Sequence, residues 1–236
     1  MKKHNTATSY FFLSRSPAFS LMAMFPLLLI YEIFALYLAN NNLSFANFPT
    51  IFLEILIGYS GIHGPFILGA VFLAAIIIAF LLKEKKRFTF RPYFFAVLLI
   101  ESVFYALLLG YLIFGLTEQL YLMLRETGTK LLLSVGAGFY EELVFRGLLF
   151  YVTALALIKL HASRIAAFAF TAVISSLAFS FFHYVNNEPF VMSIAFYRFA
   201  LGLLFCGLMM FRGLAVCAWT HTFYNIFIYS SASRII

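Results

Sequence analysis

Within AGFYEELVFRGLLF, residues 137–150, Glu141, Glu142 and Arg146 sit in an otherwise apolar run. Placing a charge in a hydrocarbon layer is costly, so an ionisable group kept there marks a functional site by default. On a helix Glu142 and Arg146 are i,i+4 neighbours and can pair along one face. Glu141 is turned about 100° from Glu142 at 3.6 residues per turn, so one carboxylate can be neutralised while the other stays free. A structural ion pair that locks helix packing accounts for Glu142 and Arg146 as well as direct catalysis does. It leaves the second carboxylate unexplained. Gly136, Gly138 and Gly147 bracket the three charges and let a neighbouring helix come close.

Two further constellations follow. Phe179 and His183 are spaced i,i+4, as are His221 and Asn225. Each has a plain reading alone: a histidine near a helix end is interfacial, and a histidine–asparagine pair ties neighbouring helices together. Taken together, a glutamate, two histidines and an asparagine on three spans can be gathered around one pocket. A carboxylate in an apolar pocket is a better proton acceptor than one in water.

The elements that must position these groups are membrane helices. Of the 236 residues 64% are hydrophobic and 11% charged, and mean hydropathy is +0.99. A soluble chain of this length cannot bury so much apolar surface, and the long unbroken runs exclude a barrel of alternating strands. The expected fold is an all-α polytopic transmembrane bundle, a single membrane domain over residues 1–236. Seven spans are expected, at about 19–39, 64–82, 93–116, 131–158, 165–185, 190–211 and 213–231. Phe48–Ser60 is apolar but short, so it reads as an interfacial or re-entrant helix, with an eighth span left open. The chemistry-bearing motifs fall within 131–231.

The net charge of +7 reports topology rather than nucleic acid, because the basic residues gather at the ends of apolar runs. Lys2, Lys3 and Arg15, then Lys83 to Arg91, then Lys159 and Arg164, then Arg212 all fall on one side of an alternating chain. That side is the cytoplasm by the positive-inside rule. Cys206 and Cys217 read as small apolar fillers. Glu32, Glu101 and Arg198 are intramembrane charges expected to pair with one another or with the motif residues. Glu54 and His63 read as interfacial, and His4 and His161 as loop residues.

The order EExxxR, FxxxH, HxxxN, present as Glu141-Glu142-Leu-Val-Phe-Arg146, Phe179–His183 and His221–Asn225, resembles the membrane-embedded CAAX-protease and bacteriocin-processing family, the glutamic intramembrane endopeptidases. The resemblance covers roughly the C-terminal half. It implies an integral protein of a bacterial cytoplasmic membrane that hydrolyses a peptide bond in a membrane-associated protein or peptide. It also implies that Glu141 is the general base, that His183 holds and polarises the attacking water, and that His221 and Asn225 donate to the oxyanion. Glu142 and Arg146 support and orient. No cofactor is required on this reading.

Two histidines and a glutamate also make a zinc set with one open position. The His-Glu-x-x-His helix pattern is absent, so metal-free chemistry is favoured on the strength of the resemblance. A non-catalytic bacteriocin-immunity protein is a second alternative, but a pure binder has no need of a base, a water-holder and oxyanion donors. A proton-relay transporter is a third, and it lacks the internal repeat such folds carry. With the topology above, His183 lies near the outer end of its span and Glu141 about 15 Å below the outer start of its own. The expected site opens toward the outer half of the membrane.

Overall fold

The computed structural model describes residues 9–40, 92–123, 130–186 and 189–232. Every regular element among them is helical. A short helix α1 (Tyr10–Leu13) leads into α2 (Pro17–Asn40), followed by α3 (Pro92–Met123). A continuous helical run then comprises α4 (Lys130–Gly136), a π-helix (Ala137–Val152) and α5 (Thr153–Lys159). The chain continues as α6 (Arg164–Phe182), a single 3-10 turn (His183–Asn186), α7 (Met192–Arg212) and α8 (Leu214–Ala232). In lipid every backbone N–H and C=O must find a partner inside its own segment, which these sequences satisfy by coiling.

Local sequence sets the helix ends. Pro17 and Pro92 open α2 and α3 at first-turn positions, where a missing N–H costs nothing. The Ser163 hydroxyl caps α6 by accepting from the Ala166 N–H at 3.2 Å. Between α7 and α8 the chain reverses at Gly213 alone, with φ +89°. A Cβ there would stand 2.3 Å from the Ser14 carbonyl oxygen, so both the dihedral and the close approach require glycine.

Among the described residues, four helices are long and apolar enough to cross a membrane: Pro17–Tyr37, Pro92–Leu112, Arg164–Val185 and Met192–Arg212. The apolar part of α8, Leu214–Ile228, is shorter. The all-helical expectation holds among the described residues, which do not by themselves reach the expected count of seven or eight spans. The expected span at 64–82 and the Phe48–Ser60 stretch, with Glu54 and His63, lie outside them. The expected span at 131–158 is helical throughout, but its middle is not α-helix. From Ala137 to Val152 the backbone winds with the wider π repeat, closing where the Thr153 N–H reaches the Leu148 carbonyl five residues back.

At the centre lies α8, packed against α2, α3, α4, the π-helix and α7. Ala215, Val216, Cys217 and Ala218 are wholly buried, as expected for a helix apolar on every side and enclosed by neighbours. The Trp219 indole N–H donates to the Ala23 carbonyl on α2 at 2.8 Å. Large apolar side chains left exposed on the outer helices, such as Ile33, Ile100, Leu112 and Phe196, face where lipid would lie. With the family reported below, these apolar helices mark an integral membrane protein.

Glu101 and Glu32 find partners other than those expected. Glu101 on α3 accepts from the Arg212 guanidinium, with Nη2 at 2.8 Å, and from the Tyr10 hydroxyl. Burial, then the neighbouring carboxylate, pushes the Tyr10 hydroxyl well above its ordinary range, so it stays a donor. Glu32 on α2 accepts from the Tyr140 hydroxyl at 2.7 Å. Their partners in space are a guanidinium at the end of α7 for Glu101 and an aromatic hydroxyl for Glu32. Arg212, stacked on Phe11 at 4.2 Å, shares one end of the bundle with Arg15, and Arg15 and Arg164 line one cavity. These three basic positions fall at one end, as the loop charges imply.

Candidate active site

The π-helix carries the first motif into the core. Glu142 and Arg146 are wholly buried and Glu141 nearly so. A π-helix closes its turn over five residues. Arg146 is i+4 from Glu142 and i+5 from Glu141, and its guanidinium pairs with Glu142. Glu141 stands outside that ion pair. Glu141 interacts electrostatically with His221, Glu142, Arg146 and Arg198. Its Oε2 is buried without a hydrogen-bond partner among the described residues.

Glu142 is saturated. Its Oε1 lies 2.9 Å from Arg146 Nη1 and accepts from His221 Nδ1 at 2.7 Å. Its Oε2 accepts from the Cys217 thiol at 3.0 Å. The Arg146–Glu142 contact is a close ion pair without hydrogen-bond alignment, and Nε and Nη2 of Arg146 have no partner among the described residues. The guanidinium is covered instead by two aromatic faces, Phe179 at 4.2 Å and Phe205 at 5.2 Å. An aromatic face attracts a cation most strongly when water is excluded.

Phe179 is the shared wall of the cluster. Besides Arg146, it meets His183 edge-on at 5.2 Å and His221 at 6.0 Å. His221 also stacks on Phe205 at 4.9 Å. The His183 Nδ1 lies 2.9 Å from the Phe179 carbonyl oxygen. A carbonyl only accepts, so that nitrogen carries the proton, and the neutral ring keeps its lone pair on Nε2. His183 stands where α6 gives way to the 3-10 turn and is half-buried. The same logic applied to His221 puts a proton on Nδ1, facing Glu142.

Close contact holds the helices in register. Gly138 lies one π-turn before Leu143, against α8, and a Cβ there would stand 1.9 Å from Thr222 Oγ1 and 2.7 Å from the Ala218 carbonyl oxygen. Gly136 packs equally tightly on the Tyr31 ring, at 2.7 Å. Gly147, expected to do the same, has only ordinary contacts, the nearest at 3.5 Å. The Ser175 hydroxyl on α6 donates to the Phe145 carbonyl at 2.7 Å, tying that helix to the π-helix.

All three motifs therefore meet around Phe179, Glu142 and Arg146. Asn225, half-buried on α8 one turn past His221, joins neither histidine by a hydrogen bond among the described residues. No hydrogen bond there links Glu141 to His183 either. Among the described residues, no three His, Cys, Asp or Glu side chains are grouped to hold a metal ion. Two participants escaped the sequence reading. Cys217 is a hydrogen-bond donor to Glu142 rather than mere filler, a role signalled by its i,i+4 spacing to His221. Phe205, on α7, had no local signal. Both cysteines are free and buried.

This combination, a buried carboxylate–guanidinium–imidazole cluster inside an apolar helical bundle, defines a membrane-embedded class. The family is given by comparison: residues 123–227 match the model for type II CAAX prenyl endopeptidase Rce1-like proteins. Those residues, which contain all three motifs, are similar to the CAAX-protease family, and that is a protease family. No curated protein and no solved structure matches the chain.

Proposed function

We propose that this chain is an intramembrane glutamic endopeptidase that hydrolyses a peptide bond in a membrane-associated protein or peptide. The observation that carries the reading is the contact of Glu142 with both Arg146 and His221, which links the first motif to the third beneath the Phe179–His183 wall.

In the proposed reaction a water is held by the lone pair of His183 Nε2 and by Glu141. Glu141 takes a proton from it while the water oxygen attacks the scissile carbonyl carbon. The oxyanion is met by His221 and Asn225. Collapse breaks the carbon–nitrogen bond, and Glu141 returns its proton to the leaving amine. The products are a carboxylate and an amine. Because His221 Nδ1–H is committed to Glu142, donation to the oxyanion needs a second proton on Nε2. His221 thus acts as an imidazolium, with Glu142 balancing its charge and Arg146 and Cys217 fixing Glu142. On this reading the enzyme uses no metal.

The test is cleavage of lipidated or tail-anchored substrates by the chain in liposomes, with His183→Ala and Asn225→Ala beside the wild type. Each variant is expected to lose at least about 100-fold in rate, the usual weight of one acid–base or oxyanion group. Normal processing by both removes the assignment. Activity abolished by a zinc chelator and restored by zinc transfers the same residues to a metal mechanism.

A further inference from the structure

Beyond the peptidase site, the arginine-bearing end of the bundle holds a cavity of about 420 Å³, between α2, the π-helix, α5, α7 and the starts of α6 and α8. None of the three motifs' polar residues lines it. Its wall includes Leu148, Val152, Leu155 and Met210, all exposed at the bundle surface, so it opens sideways toward the hydrocarbon. Two cations stand with this wall, Arg15 just before α2 and Arg164 at the start of α6. The lining contains no carboxylate, and neither arginine pairs with an acid among the described residues.

A ligand matched to this shape has a long apolar part and one anionic group at its end. A peptide fits poorly, because its backbone would meet a wall with few polar partners; Ser20, one of them, already donates to the Ser14 carbonyl. An uncharged chain leaves both guanidinium groups unused. We propose that the cavity binds one anionic phospholipid, with its phosphate between Arg15 and Arg164 and an acyl chain along Leu148, Val152, Leu155 and Met210. Guanidinium forks suit phosphate, and basic pockets between membrane helices are established sites for anionic headgroups. The lipid would tie the segment before α2 to the turn between α5 and α6, across the far end of the catalytic helix.

The experiment is native mass spectrometry of the full chain in neutral detergent, titrated with phosphatidylglycerol or with phosphatidylcholine of identical acyl chains. One phosphatidylglycerol is expected to bind at least roughly tenfold more tightly than phosphatidylcholine. Combined Arg15→Gln and Arg164→Gln should lower that affinity roughly 30-fold, the weight of two surface cations. Lys159→Gln, at the same end but outside the cavity, should change it less than twofold. Gly147→Leu, which grows into the cavity from its floor, should weaken both lipids. Equal binding of the two lipids, or a Lys159→Gln loss as large as that of the double variant, means only a diffuse lipid shell and overturns the proposal. So does a full-strength preference for phosphatidylglycerol in the double variant.

Discussion

Replacing Gly138 by alanine is the sharpest structural perturbation the site offers. The added Cβ would stand 1.9 Å from Thr222 Oγ1 and 2.7 Å from the Ala218 carbonyl oxygen. The threonine can rotate away; the carbonyl belongs to the α8 backbone and cannot. A carbon–oxygen contact settles near 3.3–3.6 Å, so the π-helix and α8 must part by roughly 0.6–0.9 Å. Glu142 rides on the first helix and His221 on the second. Their 2.7 Å bond would open to roughly 3.3–3.6 Å, beyond hydrogen-bond range. Displacements near 1 Å cost about 100-fold in rate, so a loss between about tenfold and 100-fold is expected. Overpacking should also cost about 1–3 kcal/mol of stability. The assay is kcat/KM on a cleaved substrate beside a thermal unfolding scan in the same detergent. Gly147→Ala is the control on the same helix, where the nearest atoms lie at 3.5 and 3.7 Å. It should stay within about 0.5 kcal/mol of wild type. If Gly138→Ala keeps full activity, or Gly147→Ala does equal harm, the reasoning from helix spacing is wrong.

Other perturbations follow the same contacts. Arg146→Met leaves Glu142 buried without its cation and should destabilise by about 3–5 kcal/mol, read as loss of folded protein on size-exclusion chromatography. Cys217→Ser keeps a donor to Glu142 while Cys217→Val removes it, so serine should retain activity and valine should lose roughly tenfold in kcat, the low end for a hydrogen bond to a charged group. Glu101→Gln breaks the charge-assisted contacts to Arg212 and should lower stability by about 1.5–3 kcal/mol, with kcat little changed because the pair lies away from the cluster.

The chemistry was legible in the sequence because charge is rare in such a chain. Glu141, Glu142, Arg146, His183 and His221 stand out against their apolar neighbours, and i,i+4 spacing alone suggested the Glu142–Arg146 pair that the fold forms. The π-winding around them was not legible, since a stretch apolar on all sides carries no periodic signal to separate one helical repeat from another. Contacts between helices were equally hidden. Glu101 and Arg212 are 111 positions apart, and nothing local says that they meet. Phe205 looks like any other membrane phenylalanine until α7 brings it over Arg146 and His221. Gly147 shows the converse, a small residue beside the motif that looked like a helix contact and instead lines a cavity.

The central claim is that Glu141 is the base that activates water. Glu141→Gln keeps the side chain's size and removes its basicity, so the variant should fold and melt like the wild type. Measured as single-turnover cleavage of a lipidated peptide in liposomes, its rate should fall by about 100- to 10,000-fold. A folded Glu141→Gln protein that cleaves at the wild-type rate would contradict the account.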